Sequence, residues 1–362
     1  MSSESLQPCP WHRAEWQALQ ERTQRGGLPH ALLLTGDAGT GKRRFADAFA
    51  AWLLCAAPVD GHACGRCKSC LLLAAGTHPD HLAVVPEALR PEAEGSDGEG
   101  GSKKKKPSQE IRVDDIRALI AFAARTAQFG GRRVVVLDPA QAMNTSAANA
   151  LLKTLEEPGE GTVLLLVSDQ PARLPATIRS RCQQLKLPSP QPQEARDWLA
   201  AETGDAGRAA ELLAAAGTPT RALQLVADDG WVGQRRSLAT LLVDVLTGAS
   251  SAVRFAELAA KASKTADAGA GATEPLLLDW LPSFLGDAVR LAEGVPAERL
   301  RNADLARELR RLVEARTTQP LFLLGDDLAR LREQLDAGSG LSRQLLWEEV
   351  MLRWSPRTRS GR

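Results

Sequence analysis

No run of 18 or more apolar residues occurs in the sequence, and its opening, MSSESLQPCPWHRAEW, lacks the charged-then-apolar order of a secretory signal. A membrane span and an export leader are therefore not expected. A cytoplasmic protein without a membrane partner is. Net charge is nearly absent as well, since 45 basic residues against 44 acidic ones leave +1. Nucleic-acid contact through a global basic field is excluded, and a local patch or partner chains would have to supply it. Aromatic residues make up only 4% of the chain, so few rings are available for stacking on unpaired bases. What remains is ordinary globular material, 44% hydrophobic and 25% charged over 362 residues, enough for two or three domains. Six cysteines in a reducing compartment read as metal ligands, core residues or catalytic groups before disulfides.

Apolar patterning divides the chain. An amphipathic helix from Trp11 to about Arg25 precedes a turn and a short apolar strand, Ala31 to Thr35. A Gly-rich loop then opens into a helix whose apolar residues Phe45, Phe49, Trp52 and Leu53 share one face. Further apolar strands are HLAVVP, VVVLD (134–138), TVLLLVSD (162–169) and the end of ATIRSRCQQLKLP, separated by helices. One of these helices, NTSAANALLKTLEEP, starts at an Asn144 or Thr145 cap and stops at Pro158. Five strands alternating with helices predict an α/β fold, a doubly wound parallel sheet with its ligand site at the strand C-termini. The acidic-then-lysine stretch at about 87–110, with Lys103 to Lys106, has too little apolar surface to offset its ordering entropy and is expected to be a disordered insertion. Beyond the Pro-rich joint LPSPQPQ (187–193) the pattern is helical, in a small unit to about Asp229 and a larger one to the C-terminus.

Three constellations carry chemistry. From Gly36 the text GDAGTGK is a phosphate-binding loop, with Gly36, Gly39 and Gly41 shaping it and Lys42 placed for the β and γ phosphates. Arg43 stands where a Ser or Thr would ligate magnesium. Asp138, at a strand end, matches the magnesium-orienting acid of P-loop ATPases, but Pro139 follows where a water-polarising glutamate is usual. Two independent positions are thus wrong for hydrolysis. Cys55, Cys64, Cys67 and Cys70 have the spacing of a closed tetrahedral zinc knuckle, about 55–70, with His62 and His78 as nearby substitutes. Cys9 and Cys182 are left over as surface and core thiols. Arg179 and Arg181, in ATIRSRCQ, are placed where a guanidinium can project from the domain edge.

Taken in order, GLPHALLLTGDAGTGK, CGRCKSC, NALLKTLEEP and RSRC closely resemble the delta-prime subunits of bacterial DNA polymerase III clamp loaders, and LREQLDAGSGLSRQLLWEEVMLRW (331–354) resembles that family's collar end. The related gamma/tau subunits keep a complete Walker loop and an Asp-Glu pair, and this sequence has neither. The resemblance implies an AAA+ P-loop domain (1–188) with a zinc knuckle insertion, a small helical lid (189–229) and an all-α collar domain for oligomerisation (230–362). It implies a hetero-pentamer with gamma/tau and delta subunits, in which this subunit is no enzyme on its own, and contact with the sliding clamp and primed DNA mainly through the complex. It also implies structural Zn2+, an ATP site that is degenerate and non-hydrolysing, Arg181 as an arginine finger in trans to ATP on the neighbouring subunit, and Arg221 as a lid arginine near the nucleotide. An active P-loop motor subunit or nucleotide kinase is the alternative. Direct DNA binding through Lys103 to Lys106 and the knuckle is a third reading.

Overall fold

Leu32, Leu33 and Leu34 are all fully buried because successive strand residues face opposite sides of a sheet that is covered on both. In the computed structural model, which describes residues 7–90, 107–129, 131–227, 230–264, 273–315, 318–336 and 342–355, the chain forms two compact units, Met1–Gln191 and Pro192–Arg362.

The first unit runs α1 (Arg13–Gln24), β1 (Ala31–Thr35), α2 (Lys42–Leu54), α3 (Lys68–Ala74), β2 (His81–Val84), α4 (Val113–Ala123), β3 (Arg133–Leu137), α5 (Thr145–Glu156), β4 (Thr162–Ser168), α6 (Ala176–Arg179) and β5 (Gln183–Lys186). The five strands are all parallel, in the order β2-β3-β4-β1-β5. Register pairs Leu33 with Leu166 and Val135 with Leu164. One face of the sheet packs Leu33, Val135, Leu137, Leu164 and Leu166 against Ile116, Leu119, Leu151 and Leu155 of α4 and α5. The other packs Leu32, Leu34, Val134, Val136 and Leu165 against Trp16, Phe45 and Phe49 of α1 and α2. Strand alternation thus sorts one apolar run into two cores.

Asn144 caps α5 by accepting a hydrogen bond from the Ala147 N–H at 2.9 Å. The insertion expected to be disordered over 87–110 is corrected at both ends. Glu87–Leu89 forms a 3-10 turn, the Ala88 N–H donates to the Ser108 carbonyl at 3.0 Å, and the Ser108 N–H donates to the Glu87 carboxylate at 3.1 Å. These bonds close the base of the insertion locally. Residues 91–106, with the lysine run, lie outside the described residues. Cys9 is corrected too, being fully buried rather than at the surface.

The second unit is helical among its described residues: α7 (Pro192–Thr203), α8 (Ala206–Ala216), α9 (Pro219–Gln224), α10 (Gly230–Thr247), α11 (Ala252–Lys264), α12 (Thr273–Ala292), α13 (Ala306–Ala315), α14 (Thr318–Asp336) and α15 (Arg343–Trp354). Its interior is built on the fully buried Trp231, Trp280 and Trp347. Buried indoles need acceptors, and Trp231 Nε1 donates to the Ala215 carbonyl at 3.0 Å, while Trp280 Nε1 donates to Asn302 Oδ1 at 2.8 Å.

Candidate functional site

The Gly-rich loop leaves β1 at its C-terminal end and enters α2. Gly36 has φ +148°, and a Cβ there would stand 2.5 Å from the Leu187 carbonyl oxygen, so only glycine fits. Gly39 and Gly41 also have positive φ, and Gly41 is the N-cap of α2. Lys42, the first residue of that helix, is only 3% exposed. Its ammonium sits 2.5 Å from Asp169 Oδ1, just past β4, and donates to the Asp37 carbonyl of its own loop. Other polar groups of the loop are engaged as well. Trp11 Nε1 donates to the Thr40 carbonyl at 2.8 Å, Thr40 Oγ1 to the Asp37 carbonyl at 2.9 Å, and Ser189 Oγ to Asp37 Oδ2 at 2.5 Å.

Arg43 lies on the metal side of the site. Its Nε is 2.9 Å from both carboxylate oxygens of Asp47, one helical turn on, and its Nη1 is 3.4 Å from Asp138 Oδ2. Burial works against the charged guanidinium, but Asp47 and Asp138 outweigh it and hold the pKa above the ordinary arginine value. Asp138 is itself pushed up by burial, with Arg43 pulling the other way. A divalent cation at Asp138 would face a fixed guanidinium of like charge. Pro139 follows with no group to orient water, joined through a cis peptide bond.

The four cysteines expected to bind metal come together, all their sulfurs lying within 4.8 Å of one another. A tetrahedron with Zn–S bonds of about 2.3 Å needs sulfurs about 3.8 Å apart, and Cys55 and Cys67 are 3.9 Å apart. Cys55 ends α2 and Cys67 caps α3. Backbone N–H groups of Cys64, Cys67 and Cys70 donate to the sulfurs of Cys55, Cys64 and Cys67 at 3.3, 3.4 and 3.5 Å. Amide donors of Arg66 and Cys67 bring the Cys64 thiol down to about 6. The donor set fits a soft tetrahedral ion. The two histidines held in reserve are used elsewhere: His62 stacks on Trp16 at 5.4 Å, and His78 bonds Ser69 and Asp80.

Arg181 follows α6 at the edge of the first unit, with its side chain 34% exposed. Its guanidinium bonds Glu156 and the Thr177 carbonyl. Arg221 stands in α9 of the second unit and pairs with Asp279 of α12, which also takes Arg332. The first unit therefore gathers Gly36, Gly39, Gly41, Lys42 and Asp138, whereas Arg221 is engaged by an acid of its own unit. The sequence reading overlooked the partners: Asp169, Asp47, Glu156 and Asp279. Only Asp47 had a local signal, its i,i+4 spacing from Arg43.

A Gly-rich loop between β1 and α2, at the C-terminal edge of a five-stranded parallel sheet with an acid closing the β3 strand, defines a protein of the P-loop class. Within that class the chain belongs to the DNA polymerase III delta-prime family. It is 39% identical to DNA polymerase III subunit delta' of Pseudomonas aeruginosa over 96% of this chain and 97% of that one, and 32% identical to the Escherichia coli subunit delta' over 95% and 94%. The family described as DNA polymerase III, delta subunit, matches residues 11–191, and that described as DNA polymerase III, delta subunit, C terminal, matches 240–356. A subunit tau/gamma of Haemophilus influenzae is 32% identical over 47% of this chain and 22% of its own length. No described helix is long and apolar enough to cross a membrane.

His12 gives the closed loop a pH dependence. It is fully buried between Trp11 and Phe45. Burial lowers its pKa to about 4, opposed by the Pro188 carbonyl and assisted by the charge of Lys42. The unfolded chain takes up this proton near pH 6.5 and the folded site only near 4. The contribution to stability is thus complete above pH 6.5 and lost as pH falls toward 4, by about 3 kcal/mol in all. Urea denaturation across that window should show a shallower slope for His12→Phe than for the wild type; equal slopes would show that His12 titrates normally in the fold.

Proposed function

We propose that this chain is the stationary, non-hydrolysing subunit of a cytoplasmic clamp loader, a hetero-pentamer with gamma/tau and delta subunits that places the sliding clamp on primed DNA. The observation that carries the reading is the double engagement of the phosphate loop, Lys42 by Asp169 and Arg43 by Asp138 and Asp47. A nucleotide triphosphate would have to displace the first pair to reach the lysine, and its magnesium would meet the second. In this reading ATP is an optional and inert ligand, held if at all by Gly36, Gly39, Gly41 and Lys42 beside Asp138, with Arg221 as the lid arginine near it. The division of the helical region into a lid and a collar belongs to the same proposal. An active motor or kinase is disfavoured by the same pairs and by Pro139.

The chain's contribution to catalysis would then lie at its edge, where Arg181 offers a guanidinium to ATP on the neighbouring subunit. Such a charge stabilises the transition state by roughly 10³ to 10⁵ in rate, or about 4 to 7 kcal/mol. Cys55, Cys64, Cys67 and Cys70 would hold a structural zinc ion, whose four thiolates leave no open coordination position and which fastens the connection between α2 and α3.

Three measurements test this. Elemental analysis of the purified chain should find one zinc per molecule, and a folded, metal-free protein would refute the zinc site. The purified chain should release no phosphate from ATP with magnesium; turnover abolished by Lys42→Ala would restore the motor reading. In the reconstituted complex, Arg181→Ala should leave assembly intact and lower the clamp- and DNA-stimulated ATPase, the site beside this subunit losing about 10³-fold or more. An unchanged rate would reject the finger.

A further inference from the structure

We infer that Glu156 is a positioning residue for Arg181, fixing the guanidinium so that its free N–H groups face outward toward the neighbouring nucleotide. The inference rests on the finger role proposed for Arg181 and assigns the residue that makes a finger of it. Arginine has a long side chain with many rotamers, so an exposed guanidinium must be held if it is to meet a phosphoryl group in one orientation. Here it is held on two sides. Arg181 Nε donates to Glu156 Oε1 at 2.7 Å, Nη2 donates to the same oxygen, and Nη1 donates to the Thr177 carbonyl at 3.0 Å. A guanidinium carries five N–H groups. Three are thereby used, and the two left are one on Nη1 and one on Nη2, a pair that phosphoryl oxygens can accept together. An acid placed to sequester the arginine would instead occupy both terminal nitrogens. Glu156 takes Nε and shares only one of them.

Both residues stand on fixed backbone. Glu156 ends α5, and its neighbour Leu155 is in the core, with its carbonyl hydrogen-bonded to His30 Nε2 at 2.8 Å. Arg181 lies between Ile178 and Cys182, which are buried in the same core. The carboxylate is half exposed, so the pair adds little to folding. Its consequence is orientation: the α5 end and the Ser-Arg-Cys turn, 25 residues apart, meet at one guanidinium.

The test uses the reconstituted clamp-loader complex with clamp and primed DNA, comparing wild type, Glu156→Ala, Glu156→Gln, Arg181→Ala and the Ala/Ala double variant. Glu156→Ala should assemble normally and lower kcat for ATP about tenfold without changing KM, as expected for a misoriented rather than missing group. Glu156→Gln, which keeps Oε1 as an acceptor, should retain a rate within about threefold of wild type. In the Arg181→Ala background, Glu156→Ala should have no further effect. A normal rate for Glu156→Ala beside a slow Arg181→Ala overturns the positioning role and leaves the finger standing. A rate above wild type makes Glu156 a brake and also overturns it, as does a loss that persists without Arg181. A normal rate for Arg181→Ala removes the finger, and this inference with it.

Discussion

A buried ammonium group must have an anion, and in this protein Lys42 finds it in Asp169. Leaving a buried charge unpaired costs about 3 to 5 kcal/mol, so in the free chain loss of the Asp169 carboxylate would destabilise the first unit. The arrangement follows from the sheet. β1 and β4 are adjacent, with Thr35 opposite Ser168, so the loop after one strand and the acid after the other end side by side. In a hydrolysing P-loop the lysine waits for phosphate; here the strand order delivers a carboxylate to the same ammonium. Arg43 does for the metal position what Asp169 does for the phosphate position. Its charge answers Asp138, and Asp47 completes it from within the helix.

The four-cysteine module is tied to this sheet by a buried polar chain. Asp80 donates its N–H to His78 Nδ1 at 3.0 Å, which leaves the proton on Nε2 to be donated to Ser69 Oγ at 2.9 Å. Ser69 lies between Lys68 and Cys70 in the knuckle helix. The Asp80 carboxylate accepts from the Gln128 and Phe129 N–H groups at 2.8 Å each and faces Arg133 Nε at 3.8 Å. Arg133, fully buried at the start of β3, donates to the Phe122 and Thr126 carbonyls. The cysteine module thus reaches the N-terminal ends of β2 and β3 through a chain of buried hydrogen bonds. Burial lowers the His78 pKa despite the pull of Asp80 and keeps the ring neutral for this role.

Much of the first unit was legible because local signals and tertiary demands agree. The run ALLLT became β1 with the expected bounds, Asn144 capped α5, and the cysteine spacing closed into one cluster. The two ordered ends of the insertion were not legible, since Glu87 and Ser108 are 21 residues apart and no periodicity links them. Cys9 was misread for a similar reason: nothing in MSSESLQPCPW announces burial. The partner acids were hidden for a stronger reason. Asp169 meets Lys42, and Glu156 meets Arg181, only after the sheet has set its strand order. The motif residues could be named from spacing, but their electrostatic state could not.

That state changes what the two catalytic departures mean. From sequence, Arg43 and Pro139 are two losses: a hydroxyl that ligates metal and a carboxylate that orients water. In the fold only Pro139 is a simple loss. Arg43 brings a permanent charge to a half-buried acid, and reverting it to a hydroxyl residue would leave Asp138 and Asp47 facing each other without a cation. A hydroxyl at position 43 would therefore remove a charge as well as add a ligand, because Asp138 and Asp47 are both arranged around the guanidinium. Arg181 has the complementary position. It keeps two N–H groups unspent beside a single half-exposed carboxylate. The same residue type is clamped between two acids at Arg43 and meets one at Arg181, so the difference between them lies in the number of carboxylates around each guanidinium and not in the number of donors used.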